Sequence, residues 1–489
     1  MQIPLEVSEI LEKLYEADFE TYIVGGCVRN LLLRRMPKDW DITTNASPEQ
    51  IEKIFPDSVY ENEFGTVAVK TKSENPNLKI IEITTFRKEG KYSDKRHPDE
   101  IKFAKTIEED LSRRDFTINA MAMNLKNTQH DLIDPFNGQK DLQKKLIKTV
   151  GNAKERFSED GLRLMRAIRF ACELDFKIEQ ETLSAIKDNA SLLTFISKER
   201  IRDELIKIIN SPQAAKGILL LQENNLLKQI IPELEKGIGV TQNKHHIYTV
   251  WEHLWRSLEY SCKKEYSLEV RMASLFHDIG KPYTKEGDGK DATFYNHEWQ
   301  GAKITTRILD RLKFPKNKSE KIIKLVRCHG FVYDPEITTD AAIRRLLVKV
   351  EKKNIQELAQ VREADRIGSG CPKALPFRLR HFLFRVEKVL KELEGQQPSL
   401  KILKINGNDI IKTLGIKPGP KIGAILSILL EQVLDDPKKN TKKYLEIEAK
   451  KINLLSQNEL KKKEKIAQEK YKNLLEENEK EIKKKYYVN

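Results

Sequence analysis

Hydrophobic and polar positions alternate in the first 150 residues of the chain and recur with a helical period after them. Alternation typical of strands occurs in FGTVAVK and LKIIEITTF. A strand, a Gly-Gly turn and a helix are predicted for TYIVGGCVRNLLL. A short strand is predicted for DWDITTNAS, which ends in a loop with cap residues before Pro48. The polar run KEGKYSDKRHPDE is typical of a loop.

From about residue 151 onwards, Leu and Ile recur at helical spacing, as in GLRLMRAIRFACEL and ERIRDELIKII. The predicted fold class is therefore α+β, with a small mixed head followed by a long all-helical region. We divide the chain into a head (1–150), a helical neck (151–235), a histidine-containing domain (236–372) and a helical body with a basic C-terminal helix (373–489). We interpret the Lys/Glu-rich C-terminal segment as a solvated amphipathic helix, with an RNA-backbone contact as the alternative.

Composition narrows the class of protein. The 489 residues carry a formal net charge of +14, which favours a polyanionic partner. The mean hydropathy is -0.57, and no run approaches the ~20 apolar residues that a membrane-spanning helix needs, so we expect no membrane association of that kind. The acidic N-terminal stretch does not resemble a secretory signal. The five cysteines lie far apart, which argues against a disulfide scaffold or a zinc ribbon and for a reduced, cytoplasmic setting.

Two acidic residues after the Gly-Gly turn are spaced as on one face of a strand. Residues i and i+2 of a strand project to the same side with Cα atoms roughly 6.6 Å apart, so Asp39 and Asp41 are expected to point together. Two such charges repel unless a cation neutralises them, and paired carboxylates hold the ions of two-metal sites. Glu82, between Ile81 and Ile83, is the candidate third carboxylate. For an isolated acidic pair, a surface turn is the alternative.

The Gly-Gly turn itself is a candidate phosphate site. Gly25 and Gly26 offer backbone N–H groups at the start of a helix, and Arg29 lies one turn into that helix. Amides at a helix start and a guanidinium together suit a triphosphate.

These motifs carry a family resemblance. The segment YIVGGCVRNLLLRRMPKDWDITT resembles the signature of the polymerase-β-type nucleotidyltransferases, specifically the class II tRNA nucleotidyltransferase and bacterial poly(A) polymerase family. Four further segments of this chain resemble the other family motifs and follow in the family's order: EEDLSRRDFTINAMA, DPFNGQKDL, EDGLRLMRAIRF and ISKERIRDEL. One departure is Asn30, where the family more often has Asp, and the family pattern does not use that residue as a metal ligand.

The resemblance implies roles for individual residues. Asp39, Asp41 and Glu82 are the implied catalytic ligands of two Mg²⁺ ions. The implied nucleotide-binding residues are Gly25, Gly26, Arg29, Arg114, Asp115, Asn119, Asp160, Arg163, Arg166 and Arg169. Asp160 and Arg163 are predicted to share one helix face, where Asp accepts from the exocyclic amine of cytosine or adenine and Arg donates to the neighbouring ring acceptor. Arg166 and Arg169 are interpreted as triphosphate-binding or structural.

Seven of the nine histidines lie between residues 245 and 381. Their segments, including LFHDIGK, resemble the HD phosphohydrolase superfamily, which implies a divalent transition metal such as Zn, Mn, Fe or Ni. The implied ligands are His253, His277, Asp278 and Asp365, with His297 and His329 as further candidates. His245 and His246 are interpreted as non-ligands, and Asp340 as a helix N-cap.

The predicted function is addition of CCA to tRNA 3′ ends from CTP and ATP, with a possible phosphohydrolase activity of the HD domain. The loop KEGKYSDKRHPDE, with Asp94 and Arg96, resembles a segment found in family members that add the terminal adenosine. An enzyme that adds only adenosine, to tRNA or as poly(A), is the first alternative. A chain that is chiefly an HD hydrolase with a vestigial head is the second.

Overall fold

The alternating stretches of the head form one mixed sheet in the computed structural model, which describes residues 3–62, 65–89, 101–126, 131–243, 247–370, 377–393 and 400–488. The strands of the chain are β1 (Thr21–Val24), β2 (Asp41–Thr44), β3 (Ser58–Asn62), β4 (Thr66–Lys70), β5 (Ile80–Thr85), β6 (Arg87–Glu89), β7 (Ile101–Phe103), β8 (Ala122–Asn124), β9 (Asp131–Ile133), β10 (Leu146–Ile147) and β11 (Lys177–Ile178). Seven of them form the head sheet in the order β3-β4-β5-β2-β1-β8-β9. Strands β2 and β5 are parallel neighbours, and the other pairs in this sheet are antiparallel.

Five helices accompany this sheet: α1 (Leu5–Glu16), α2 (Gly26–Leu32), α3 (Pro48–Ile54), α4 (Ile107–Ser112) and α5 (Gly138–Gln143). The predicted strand, turn and helix of the Gly-Gly segment are β1 and α2. The predicted cap before Pro48 is a capping box in which Ser47 and Gln50 each bond the other's backbone N–H. The polar loop starts later than predicted, because β6 runs to Glu89 and pairs with β7. Residues 90–100, including Asp94 and Arg96, lie outside the described residues.

The family motif DPFNGQKDL packs against the motif before it, EEDLSRRDFTINAMA. Gly138 packs so closely against residue 117 that a Cβ at this position would lie 2.2 Å from the Thr117 carbonyl oxygen. The side chain of Asp141 also accepts a 2.7 Å hydrogen bond from the Thr117 hydroxyl. DPFNGQKDL therefore fixes the short 3₁₀ turn Thr117–Asn119, which carries one of the predicted nucleotide ligands.

Helices dominate the rest of the chain, as the periodicity predicts. The neck helices are α6 (Ala153–Glu159), α7 (Arg163–Leu174), α8 (Gln180–Asp188), α9 (Lys198–Asn210), α10 (Ala214–Glu223), α11 (Leu226–Ile230) and α12 (Pro232–Glu235). The histidine-containing region has α13 (Val250–Lys263), α14 (Leu268–Phe276), α15 (Lys281–Thr284), α16 (His297–Arg311), α17 (Lys316–Cys328), α18 (Asp340–Val350) and α19 (Ile355–Gly368). The remaining helices are α20 (Phe377–Leu393), α21 (Gly407–Leu414), α22 (Pro420–Asp435), α23 (Lys442–Asn453) and α24 (Gln457–Lys485).

The chain forms two compact units. The first comprises Met1–His329 with Gln360–Pro372, and the second comprises Gly330–Ala359 with Lys373–Asn489. The second unit has its own core of Leu, Ile and Val side chains from α21 to α24. In this unit Thr339, and not Asp340, caps α18, so that prediction was wrong: Asp340 is the first helical residue and pairs with Arg385. None of the helices in the described part of the chain is long and apolar enough to cross a membrane.

Candidate functional site

Two of the three predicted carboxylates lie opposite each other on the parallel strands β2 and β5. Strand β2 begins at Asp41, and its parallel register places Glu82 of β5 directly opposite Asp41. The prediction that Asp39 shares this strand was wrong, because Asp39 lies in the bend before it and is exposed. Burial raises the pKa of Asp41, the Arg114 guanidinium lowers it, and the charge of Asp39 raises it again. The two aspartates are therefore close enough to repel, which is the condition that a bound cation relieves.

The Gly-Gly turn brings an arginine against the carboxylates. Gly25 has a φ of 79°, which suits glycine, and a Cβ there would lie 2.9 Å from Nη1 of Arg114 and 3.8 Å from Oδ2 of Asp41. Arg114 is also held by the buried carboxylate of Asp110 at 3.3 Å. The absence of a side chain at Gly25 thus leaves room for a guanidinium beside Asp41.

A hydrogen-bonded chain links the predicted phosphate and sugar ligands. Nη1 of Arg29 donates to Oδ1 of Asn119 at 2.7 Å, and Nδ2 of Asn119 donates to Oδ1 of Asp115 at 3.3 Å. The other carboxylate oxygen of Asp115 accepts from Nε of Arg166 at 2.7 Å. Burial alone would raise the pKa of Asp115, but the guanidiniums of Arg166 and Arg163 hold it at about 2. Asp115 is therefore a permanent anion that orients its neighbours.

The ring of Phe170 lies close to one arginine of α2 and two arginines of α7. The guanidinium carbons of Arg29, Arg166 and Arg169 lie 5.3, 5.4 and 4.1 Å from the centroid of the Phe170 ring. Arg169 also donates to buried Glu204 at 2.9 Å. Arg166 thus joins the hydrogen-bonded chain, whereas Arg169 ties α7 to α9.

The predicted base-selecting pair is built differently from the expectation. Asp160 is the residue after α6, and Arg163 is the first residue of α7, so the prediction that one helix carries both was wrong. Arg163 pairs with Glu159, while Nη2 of Arg200 donates to Oδ2 of Asp160 at 2.7 Å. Arg200 was not among the predicted site residues. Its only signal in the sequence was its position in ISKERIRDEL.

Four buried residues of the HD region converge on one point. His253 and His277 face each other with their Nε2 atoms 2.8 Å apart. Their Nε2 atoms also lie 3.2 and 3.3 Å from Oδ2 of Asp278, and Oδ1 of Asp365 is 3.3 Å from His253. The four ligand atoms lie within 4.8 Å of one another. These are the four metal ligands that the resemblance to the HD phosphohydrolase superfamily implies.

A second group shares one of these ligands. Oδ1 of Asp278 lies 3.2 Å from Nε2 of His297 and 3.4 Å from Nε2 of His329. Asp278 therefore turns one carboxylate oxygen to each group, so that it would contribute a ligand to a metal ion in either group. The structure brings all six candidate ligands together, whereas His245 and His246 lie outside the described residues.

The histidines turn their Nε2 atoms toward the cluster. Nδ1 of His277, His297 and His329 lies 2.8 Å from the carbonyl oxygen of the residue three positions earlier. A carbonyl can only accept, so Nδ1 carries a proton and Nε2 faces the cluster as the ligand atom. Burial lowers the pKa of His277, but Asp278 and Asp365 raise it to about 10. The site therefore favours positive charge, and its N and O donors fit a divalent transition metal.

A close backbone contact places His297 beside Asp278. A Cβ on Gly280 would lie 2.2 Å from the carbonyl oxygen of His297 and 2.6 Å from the amide nitrogen of Gly301. Across the same contact, a Cβ on Gly301 would meet its nearest atoms at 3.5 Å. Gly280 therefore allows α16 to start against the turn that follows α14.

Replacing Gly280 with Ala should push α16 away from this turn. We expect the free energy of unfolding in EDTA to fall by about 1–3 kcal/mol and the affinity for Mn²⁺ to fall by about tenfold. Urea unfolding and calorimetric Mn²⁺ titration measure the two effects. The matched variant Gly301→Ala should change neither by a comparable amount, and equal losses in both variants would contradict this account.

The fold and these sites define a class of protein: a nucleotidyltransferase of the polymerase-β type with a helical RNA-binding region and an HD domain. Family models agree with this class. The "Poly A polymerase head domain" matches residues 21–148, the "Probable RNA and SrmB- binding site of polymerase A" matches residues 175–238, and the "HD domain" matches residues 250–369.

Named relatives narrow the class further. The chain is 34% identical over 446 residues to a CCA-adding enzyme of Ligilactobacillus salivarius, covering 91% of this chain and 95% of that one. It is 34% identical over 334 residues to an A-adding tRNA nucleotidyltransferase of Deinococcus radiodurans, covering 66% and 75%. The crystal structure of the Bacillus stearothermophilus CCA-adding enzyme in complex with CTP is similar, with a TM-score of 0.59, 28% identity and coverage of 93% and 98%. The chain belongs to the CCA-adding enzyme family of tRNA nucleotidyltransferases.

Proposed function

We propose that this chain adds C, C and then A to tRNA 3′ ends, with CTP and ATP as its other substrates. The similarity to a named CCA-adding enzyme over nearly the whole of both chains supports this function. The observation that carries it is the placement of Asp41 opposite Glu82, with Asp39 close by and Arg114 beside Gly25. This is a carboxylate cluster next to a phosphate-binding turn, which phosphoryl transfer between a hydroxyl and a triphosphate needs.

In this proposal the three carboxylates hold two Mg²⁺ ions. Bound there, the ions supply the Lewis acid that activates the primer hydroxyl and stabilises the pyrophosphate. The amides after Gly25 and the guanidiniums of Arg114 and Arg29 hold the triphosphate. Asn119, fixed between Arg29 and Asp115, is placed to hold a ribose hydroxyl, the group that separates RNA from DNA precursors.

Base selection falls to Asp160 and Arg163. Asp160 accepts from the exocyclic amine of cytosine or adenine, and Arg163 donates to the adjacent ring acceptor. Guanine and uracil offer the opposite pattern, which sets a carbonyl oxygen against the Asp160 carboxylate and loses these hydrogen bonds, so both bases are rejected. Arg200 and Glu159 are positioning residues here, because they pair with Asp160 and Arg163 and so limit their rotation.

An A-only enzyme is the second candidate, favoured by the similarity to an A-adding tRNA nucleotidyltransferase. Purified protein with Mg²⁺ and tRNAs that end before CCA, after C and after CC separates the two. Each tRNA receives CTP, ATP or both, and products are resolved to single nucleotides. We expect CCA on the tRNA that lacks it. Addition of one A to the CC end alone would establish the A-adding enzyme, and a long A ladder would establish a poly(A) polymerase.

We further propose that the HD centre hydrolyses phosphate esters at RNA ends with two divalent transition-metal ions. The six converging ligands, with Asp278 between the two groups, support this activity. Lys281 lies 2.6 Å from Oδ2 of Asp278 and is held by Gln242, so a fixed cation already stands beside the predicted metals. A positive centre of this kind suits a phosphate dianion.

A further inference from the structure

One arginine of the nucleotide site is buried without an acidic partner. Arg29, on α2, is only 9% exposed. Its Nε and Nη2 atoms donate to Oδ1 of Asn30 at 3.1 and 3.0 Å, and its Nη1 atom donates to Oδ1 of Asn119 at 2.7 Å. Both acceptors are oxygens of neutral amides. Within the described part of the chain, no carboxylate oxygen lies within 4 Å of this guanidinium.

The other arginines assigned to this site each have a carboxylate partner. The pairs are Arg114 with Asp110 at 3.3 Å, Arg166 with Asp115 at 2.6 Å, Arg169 with Glu204 at 2.9 Å, Arg200 with Asp160 at 2.7 Å, and Arg163 with Glu159. Burial lowers the pKa of Arg29, and the charge of Glu173 offsets this only in part. Burial also lowers the pKa of Arg166, but there the Asp115 carboxylate raises it by more. Arg29 therefore differs from its neighbours in carrying a charge that no adjacent side chain neutralises.

The missing partner of Arg29 indicates an anion from outside the chain. A buried guanidinium without a counter-ion is costly. The ring of Phe170 compensates only part of this cost, because its centroid is 5.3 Å from the guanidinium carbon of Arg29 and is closer, at 4.1 Å, to that of Arg169. The phosphates of a nucleotide would supply the anion and the charge-assisted hydrogen bonds that Arg29 lacks.

We propose that Asn30 is a positioning residue that keeps the charge of Arg29 available to the phosphates of the incoming nucleotide. Its single oxygen accepts two N–H groups and so fixes the plane of the guanidinium without neutralising it. The inference rests on the proposed position of the triphosphate at the Gly-Gly turn. An aspartate at position 30 would accept the same hydrogen bonds and form an ion pair with Arg29, so a phosphate would compete with an internal carboxylate. The departure of this chain from the family motif at Asn30 thus makes its site more positive by one charge.

The substitution Asn30→Asp tests this role, because it exchanges an amide for a carboxylate of nearly the same shape. Its control is Asn45→Asp, which adds the same charge at the end of β2 opposite Asp41. There the exposed Asn45 amide oxygen accepts a 3.0 Å hydrogen bond from the backbone N–H of Glu20, which a carboxylate can also accept. Arg29→Gln tests the position of the triphosphate itself. The full chains are assayed with CTP on a tRNA that lacks CCA and with ATP on a tRNA that ends in CC, and pyrophosphate serves as an inhibitor.

Asn30→Asp should raise KM for the nucleotide by about tenfold and weaken inhibition by pyrophosphate by a similar factor, since hydrogen bonds from a charged group are among the strong ones. The value of kcat should stay within about threefold, because the triphosphate is held both before and during the reaction. KM for tRNA should stay within about twofold. In urea without nucleotide, the variant should unfold at a higher denaturant concentration than the parent, because Arg29 gains a carboxylate partner. The control should match the parent in every assay.

Parental KM values and parental inhibition by pyrophosphate in Asn30→Asp would overturn the proposal, whatever happens to its stability. A lower urea midpoint than the parent, or equal changes in the control, would overturn it as well. If Arg29→Gln also leaves KM for both nucleotides unchanged, the proposed position of the triphosphate fails. If Arg29→Gln raises these KM values and Asn30→Asp does not, the position of the triphosphate is supported and the role of Asn30 alone is refuted.

Discussion

Replacing Asp41 with Asn is expected to reduce kcat/KM for nucleotide addition to tRNA by about a thousandfold, which corresponds to about 4 kcal/mol of transition-state stabilisation. Asp41 begins β2 and faces Glu82 across the parallel strands, and its Oδ2 lies 3.8 Å from where a Cβ on Gly25 would be. An amide in its place retains the shape but is a much weaker ligand for Mg²⁺. Single-turnover CMP incorporation into a tRNA that lacks CCA measures the effect.

The same substitution should not destabilise the fold. Burial raises the pKa of Asp41, so the ionised carboxylate is unfavourable in the folded protein at neutral pH. Without metal, the Asn variant should therefore be at least as stable as the parent at pH 7, and the difference should disappear at acidic pH, where Asp41 is protonated. Asp57→Asn, at an exposed position of the head, should leave activity unchanged. Activity within tenfold of the parent in the Asp41 variant would contradict the proposed site.

Local patterns predicted the parts of the fold that local interactions determine. The Gly-Gly turn follows β1 because Gly25 adopts a φ of 79°, and Ser47 starts α3 because its side chain bonds the backbone of Gln50. In each case the physical cause lies within a few residues of the position predicted.

Errors arose where a distant partner decides the geometry. The i, i+2 spacing alone placed Asp39 in a strand. In the structure the chain bends at Asp39, and the strand begins only at Asp41, which pairs with Glu82 of β5. Asp160 and Arg163 have helical spacing, yet α6 ends before Asp160, which pairs with Arg200, forty residues further along. No local pattern contains that ion pair.

For the HD centre, the ligand residues could be predicted from the sequence but their arrangement could not. The residue types could be recognised from the resemblance, but their division into two groups depends on how α16 and α17 pack on the turn after α14. Gly280 permits that packing. The glycine in HDIGK does not by itself indicate a backbone contact with residue 297. The sequence therefore left His297 and His329 as secondary candidates, although they lie as close to Asp278 as His253 does.

Replacing Asp278 with Asn should remove both of the proposed metal ions from the HD centre, because among the described residues Asp278 is the one that contributes to both ligand groups. Removing a metal ligand weakens metal binding more than removing a residue that only hydrogen-bonds to a ligand. The affinity for each ion should therefore fall by at least about a hundredfold. His297→Asn should remove one ion of the two, since His297 belongs to the Asp278–His329 group only. Asp291→Asn, in the exposed segment between Asp278 and His297, is the control and should retain both.

Metal content after dialysis, measured by mass spectrometry, should therefore be two ions per chain in the parent and in the control. It should fall to one ion in the His297 variant and to none in the Asp278 variant. Hydrolysis of a 3′-phosphorylated RNA should be lost in the Asp278 variant, while nucleotide addition to tRNA, which uses the carboxylates of the head, should persist. That second activity also shows that the variant is folded, although Lys281 has lost its charged partner. Two ions retained by the Asp278 variant, or parallel loss of both activities, would refute a separate two-metal centre.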